Sequence, residues 1–209
     1  MAVGVASFLT ILCLTIFGAL YSMAEAGDPD ITLDFILPLS ATTVDSGYFL
    51  YSGLRAVFNS SAPQTIKATK ASMAEFPALN GQSVSMTVLQ FPPSSINPPH
   101  VNSRASGLLL VVQGSLEVGL IDTTNKVYTQ TLHVGDMFVF PKGLVHFQYN
   151  ADAQNPATGI AAFSSASSGT FSIPNTVFDT GVDDGILAES FKTDIATIHK
   201  LKARLASKG

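Results

Sequence analysis

The stretch Asn97-Pro98-Pro99-His100-Val101-Asn102 runs on through Arg104-Ala105-Ser106-Gly107 into the apolar run Leu108–Val112 and stops at Gly114. It decides the fold when set beside a second stretch: Gly135-Asp136, Met137–Phe140, Pro141-Lys142-Gly143, then Val145-His146-Phe147 and on to Asn150. In a strand, residues two apart share a face. His100 and Asn102 therefore point the same way, the arrangement in which a His-x-His pair grips one metal from the side. Pro141-Lys142-Gly143 turns the chain, and the strand after it directs His146 inward while Val145 and Phe147 point out. The two histidines are expected to meet inside one barrel.

Outward from these stretches the pattern is all-β. Ser83–Phe91 alternates in part, with Val84, Met86 and Val88 set against Ser83, Ser85 and Thr87. Leu116–Ile121, Val127–Val134, Met137–Phe140 and Gly159–Phe163 follow, each bounded by Gly, Pro or Asn. Short strands so punctuated predict a sandwich or barrel. Leu108–Val112 has no polar alternation, so burial on both faces is expected, one face lining the barrel and the other meeting a second element or another subunit. Beyond Asp183 the period changes. Ile195, Ile198, Leu201, Lys202 and Leu205 recur at three and four, which predicts a helix capped by Thr193 or Asp194. A shorter helix is expected at Ile186–Phe191. There is no internal repeat, low-complexity tract or second domain.

The two stretches resemble the two cupin motifs in the form carried by germins and germin-like proteins of plants. The resemblance is specific from Gly135 to Asn150 and at Pro98-Pro99-His100 with Arg104-Ala105. Asp28-Pro29-Asp30 with Asp34-Phe35 resembles the family's N-terminal arm. It implies a single jelly-roll cupin β-barrel within residues 27–209: an arm over 27–60, the barrel over 81–180, and C-terminal helices over 183–208 that reach a neighbouring subunit. A ring-like homo-oligomer, trimer or hexamer, is implied with it. In the family the first motif supplies two histidines and a glutamate to manganese, and the second supplies a third histidine. His100 and His146 stand at two of those positions. Asn102 stands at the second histidine and Gly107 at the glutamate. The resemblance thus implies a degenerate metal site of His100, His146 and, weakly, Asn102, with no catalytic residue assigned.

Donor chemistry argues the same way. An amide oxygen is a weak, neutral donor that suits hard ions only with charged companions, and Gly107 offers no side chain. Disturbing even an outer-sphere partner costs about 10–100-fold in metal affinity, so loss of two direct ligands costs more. Glu117 is the nearest acidic residue that could substitute. His133 before the Gly135-Asp136 turn and His199 on the last helix are expected to be solvent-facing. Asp136 is expected to bond local backbone amides, and Arg104 to pair with an acid across a subunit boundary.

The N-terminus reads as a signal peptide over residues 1–26. The apolar run Phe8–Leu20 is shorter than the roughly 20 residues of a membrane span, and Ala24-Glu25-Ala26 is a small-x-small cleavage pattern. No Lys or Arg precedes the run. Cleavage removes Cys13, the only cysteine. Germins usually carry a disulfide near the mature N-terminus, but Ile36 follows Asp34-Phe35 where the family has Cys. Stability must then come from core packing or oligomerisation. Asn59-Ser60-Ser61 is a sequon, so glycosylation at Asn59 is expected.

The net charge is −4 and 12% of residues are charged. The one basic cluster, Lys200, Lys202, Arg204 and Lys208, suits a solvated helix end, which argues against a nucleic-acid partner. No Gly-x-Ser-x-Gly elbow, phosphate-cradling glycine loop or catalytic cysteine is present. Some members of the resembled family oxidise oxalate, some dismute superoxide, and many have no established reaction. The expectation is a secreted, apoplastic, oligomeric cupin without membrane contact after cleavage and associated with the cell wall. Its expected role is non-enzymatic, in defence, development, wall structure or storage. The alternatives are a manganese-dependent oxidoreductase of superoxide dismutase or oxalate oxidase type, and a cupin that binds a small apolar or anionic ligand.

Overall fold

The structure is a computed structural model, and it describes residues 28–39 and 41–206. The signal-peptide reading and cleavage before Gly27 lie outside the described residues. Ten strands follow in chain order: β1 Lys67–Ala71, β2 Ser85–Phe91, β3 Ser95–Asn102, β4 Gly107–Gln113, β5 Ser115–Ile121, β6 Val127–His133, β7 Met137–Phe140, β8 Val145–Asn150, β9 Ala157–Phe163 and β10 Thr170–Ser172. They form two five-stranded antiparallel sheets, ordered β1-β2-β9-β4-β7 and β10-β3-β8-β5-β6. The sheets pack face to face as a jelly roll. Leu109 and Val111 of the first sheet and Leu116 and Val118 of the second are fully buried between them. Burying such side chains contributes roughly 1.5–3 kcal/mol each.

Strand β1 lies ahead of Gly81, where the sequence pattern begins the barrel. Its residues, Lys-Ala-Thr-Lys-Ala, show no apolar alternation because it is a sheet edge paired only with β2. Strand β3 accommodates Pro98 and Pro99, which cannot donate to a ladder, through a register shift between Asn97 and His100 against β8.

Within the single chain, strand β4 is buried on one face only. Leu109 and Val111 are buried, but Leu108 and Val112 are 44% and 36% exposed. Leu108 lies beside Val139 on one side and Ala162 on the other, and Ala162 lies beside Met86. These four side chains form an apolar row across the outer face of the first sheet, open in the single chain.

Four α-helices, α1 Arg55–Phe58, α2 Ile173–Phe178, α3 Asp184–Ser190 and α4 Ile195–Leu205, and two short 3-10 helices at Ser46–Phe49 and Pro77–Leu79 accompany the strands. Helices α3 and α4 are the two read in the sequence, and α2, directly off β10, is an additional one. Asp194, rather than Thr193, caps α4 by accepting from the Thr197 amide at 2.8 Å. Ile198 of α4 is fully buried against Leu187 and Ala188 of α3, a small second core that holds the helices to each other.

Candidate functional site

His100 and His146 are direct cross-strand partners on β3 and β8. Both are buried, and their ring centroids are 4.1 Å apart. They line a cavity of about 190 Å³ between the sheets, together with Asn102 and Gly107. The four positions singled out in sequence therefore converge on one space. Leu109, Phe140 and Phe163 of the opposite sheet form its apolar wall. Lys70, on the exposed edge strand β1, is the one charged residue at its lining.

Each imidazole is oriented by its own strand. His100 Nδ1 lies 2.8 Å from the Pro98 carbonyl, and His146 Nδ1 lies 2.8 Å from the Leu144 carbonyl. A carbonyl only accepts, so in both rings Nδ1 carries the hydrogen and Nε2 holds a lone pair. Burial lowers the pKa of both. That of His146 falls to about 4, driven first by desolvation and then by His100 beside it, with the Leu144 bond acting in the opposite direction. Both rings are neutral at neutral pH. Phe140 stacks on His146 with centroids 4.4 Å apart.

Asn102 is locked between two partners. It lies opposite Thr170 across β3 and β10, and the Thr170 hydroxyl donates to its Oδ1 at 2.6 Å. Its Nδ2 faces His146 Nε2 at 3.2 Å and donates to it. The reverse amide orientation would set an oxygen lone pair against the imidazole lone pair, so the network fixes the assignment. A metal at this point would meet an N–H group, and it would have to displace that donor from His146.

Gly107 is flanked by Phe140 on β7 and Phe163 on β9. A Cβ there would lie 3.3 Å from Phe163 Cε1 and 3.5 Å from Asn102 Nδ2. The Phe163 ring thus crowds the space into which a carboxylate at 107 would project. No positive φ is found at Gly107, so the backbone itself would accept another residue.

Glu117 does not supply the missing charge. It sits between the fully buried Leu116 and Val118 on β5 and, by the alternation of a strand, points to the exposed outer face. No carboxylate lines the cavity. Among the described residues, no group of three or more His, Cys, Asp or Glu side chains could hold a metal ion. Two imidazoles, one already engaged by an amide donor, with no anionic oxygen, do not fit a divalent ion.

The remaining candidates lie apart from the cavity. His133 is exposed at the end of β6, and Asp136 accepts from the His133 amide at 2.8 Å, a local turn bond. His199 pairs with Asp184 at 2.6 Å. Arg104 donates to the Ser167 carbonyl and hydroxyl, each at 2.8 Å, so within the chain it anchors a loop rather than an acid. Sequence reasoning missed Thr170, Phe163 and Gln148. Thr170 and Phe163 reach the cavity through strand pairing with distant residues, which leaves no local signal, whereas Gln148 shares the inward face of His146 two residues away, a signal that strand alternation carries.

The chain matches the family described as Cupin over residues 53–199. It is 51% identical over 206 residues to germin-like protein 9-3 of Oryza sativa subsp. japonica, spanning 95% of this chain and 96% of that protein. To germin-like protein 9-1 of the same organism it is 50% identical over 183 residues, spanning 86% and 74%. Among solved structures, recombinant oxalate oxidase in complex with glycolate is similar with a TM-score of 0.76 and 30% identity, over 86% of this chain and 98% of that one.

Proposed function

The chain belongs to the germin-like proteins of the cupin family, and we propose that it is a secreted, apoplastic, oligomeric member whose ancestral manganese site no longer serves redox chemistry. The observation that carries this reading is the Asn102–His146 hydrogen bond, which consumes the lone pair a metal would need. Gly107, crowded by Phe163, leaves the carboxylate position empty of charge. A manganese oxidase or dismutase needs enough anionic and imidazole donors to hold the ion through a change of oxidation state. The cavity offers two neutral rings. The role is then structural or recognitive, in the wall, in defence or in development.

Oligomerisation is supported by the open apolar row of Val139, Leu108, Ala162 and Met86, because an exposed contiguous apolar face commonly marks an association surface. The absence of cysteine after Cys13 adds to the argument. Asn59 is exposed at the end of α1, accessible to a glycosyl group. Secretion rests on the N-terminal sequence.

Elemental analysis of the purified secreted protein after exposure to manganese tests the reading. Substoichiometric metal and background oxalate oxidase and superoxide dismutase activities are expected. One manganese per chain would overturn it. The cavity itself supports a second role as a binding site for a small organic molecule, since it measures about 190 Å³ and has mixed apolar and polar walls.

A further inference from the structure

We infer that the cavity is a metal-independent site for a small neutral molecule carrying a hydroxyl on an apolar frame, of the size of a phenol. This inference rests on the metal-free reading above and specifies what the cavity recognises.

The polar half of the argument is His100. It is 6% exposed, its Nδ1 is committed to the Pro98 carbonyl, and its Nε2 lone pair has no hydrogen-bond partner among the described residues. His100 lines the cavity, so this nitrogen is free to accept a hydrogen bond from a ligand that donates one. Asn102 uses one Nδ2 hydrogen on His146 and retains a second. His100 and Asn102 thus offer one acceptor and one donor to a cavity that Thr87, Asn97 and Gln148 also line. A hydroxyl is the simplest group that both donates and accepts.

The apolar half is the opposite wall. Leu89, Leu109, Phe140 and Phe163 make up most of it, with Thr87 and Lys70 beside them. An apolar cavity of about 150 Å³ is large enough to take benzene, so a cavity of about 190 Å³ accommodates one ring with a hydroxyl. Charge selects against anions. Both imidazoles are neutral, no Asp or Glu lines the cavity, and Lys70 stands on an exposed strand where water screens it. A carboxylate drawn inside would lose its hydration with no buried cation to offset the loss.

The test uses the full mature protein, stripped of metal and checked by elemental analysis, titrated with phenol, benzene and glycolate. Calorimetry gives affinity, and the ring resonances of the histidines report the site. Phenol is expected to bind at least tenfold more tightly than benzene, as one added hydrogen bond allows, and at least tenfold more tightly than glycolate. Phenol should move the His100 ring resonance at saturation and leave that of exposed His133 unmoved. In His100→Phe the preference for phenol over benzene should fall to about unity, with thermal unfolding as the fold check. If that variant does not fold, the His100 resonance in the unaltered protein decides. Equal binding of phenol and benzene, an unmoved His100 resonance, or tighter binding of glycolate would overturn the inference. Stoichiometric manganese in unstripped protein would instead overturn the metal-free reading, so the two failures are distinguishable.

Discussion

His100 and His146 face each other across β3 and β8 with ring centroids 4.1 Å apart, yet their Nε2 lone pairs differ in kind. That of His146 accepts a hydrogen bond from Asn102, and that of His100 has no partner among the described residues. A metal-binding pair would present both lone pairs to one point. This pair presents one, and the difference traces to the single side chain at 102.

Rebuilding the metal site should therefore require more than restoring its ligands. Asn102→His with Gly107→Glu supplies the donor set, and the backbone at 107 accepts a side chain. Phe163 stands in the way, with Cε1 3.3 Å from the new Cβ. Addition of Phe163→Ala to the double variant should raise manganese occupancy towards one per chain, measured by elemental analysis with thermal unfolding as a fold check. A folded triple variant that stays empty would show that the four positions do not converge on an ion.

Removing the Asn102 side chain should destabilise the fold. Asn102→Ala strands the buried His146 Nε2 and deprives the Thr170 hydroxyl of its acceptor. The expected loss is about 1–3 kcal/mol in denaturant unfolding. No change would mean that the network is made by water as readily as by the amide.

Acid should weaken the protein through His146. The unfolded chain protonates this imidazole below about 6.5 and the folded protein only below about 4. Between those values the unfolded state binds more protons. The contribution is fully present above pH 6.5 and is lost as pH falls towards 4, with a slope of about 1.4 kcal/mol per pH unit for one proton. His100, also lowered by burial, acts with the same sign. Asp184 and Asp194, held below the usual carboxylate value by their hydrogen bonds, act at lower pH. Urea unfolding across this window should show the slope, and His146→Gln should reduce it. An unchanged slope in that variant would assign the effect to other groups.

The N-terminal arm should depend on Asp28. Its carboxylate accepts from the Ser165 hydroxyl at 2.5 Å and from the Ala166 amide at 2.6 Å, joining the start of the described chain to the loop after β9. This contact ties down a segment that contains no cysteine. Asp28→Ala should cost about 1–2 kcal/mol and speed proteolytic cleavage within the arm. Equal proteolysis of both proteins would place the anchor elsewhere.

The outer row of the first sheet should hold subunits together. Leu108→Lys with Val139→Lys sets two like charges on adjacent strands of that row, and desolvating them at a contact is costly. Light scattering should show dissociation of the variant at a concentration where the unaltered protein is oligomeric. An intact oligomer would move the contact to the arm or the C-terminal helices.

The sequence by itself determined an all-β sandwich or barrel and the shared inward direction of His100, Asn102 and His146. Both follow from strand alternation and turn residues, which act over a few neighbouring positions. It could not determine what Asn102 and Gly107 do inside the cavity. Thr170, which sets the Asn102 amide, is 68 residues away in the chain, and Phe163 reaches Gly107 only because β9 pairs with β4. Nor could it determine that β4 would be open on one face, since an unbroken apolar run looks the same whether its second face meets another element or waits for another subunit. Strand pairing brings distant residues to within a few ångströms and leaves no periodic trace near either of them, so these relationships belonged to the tertiary structure alone.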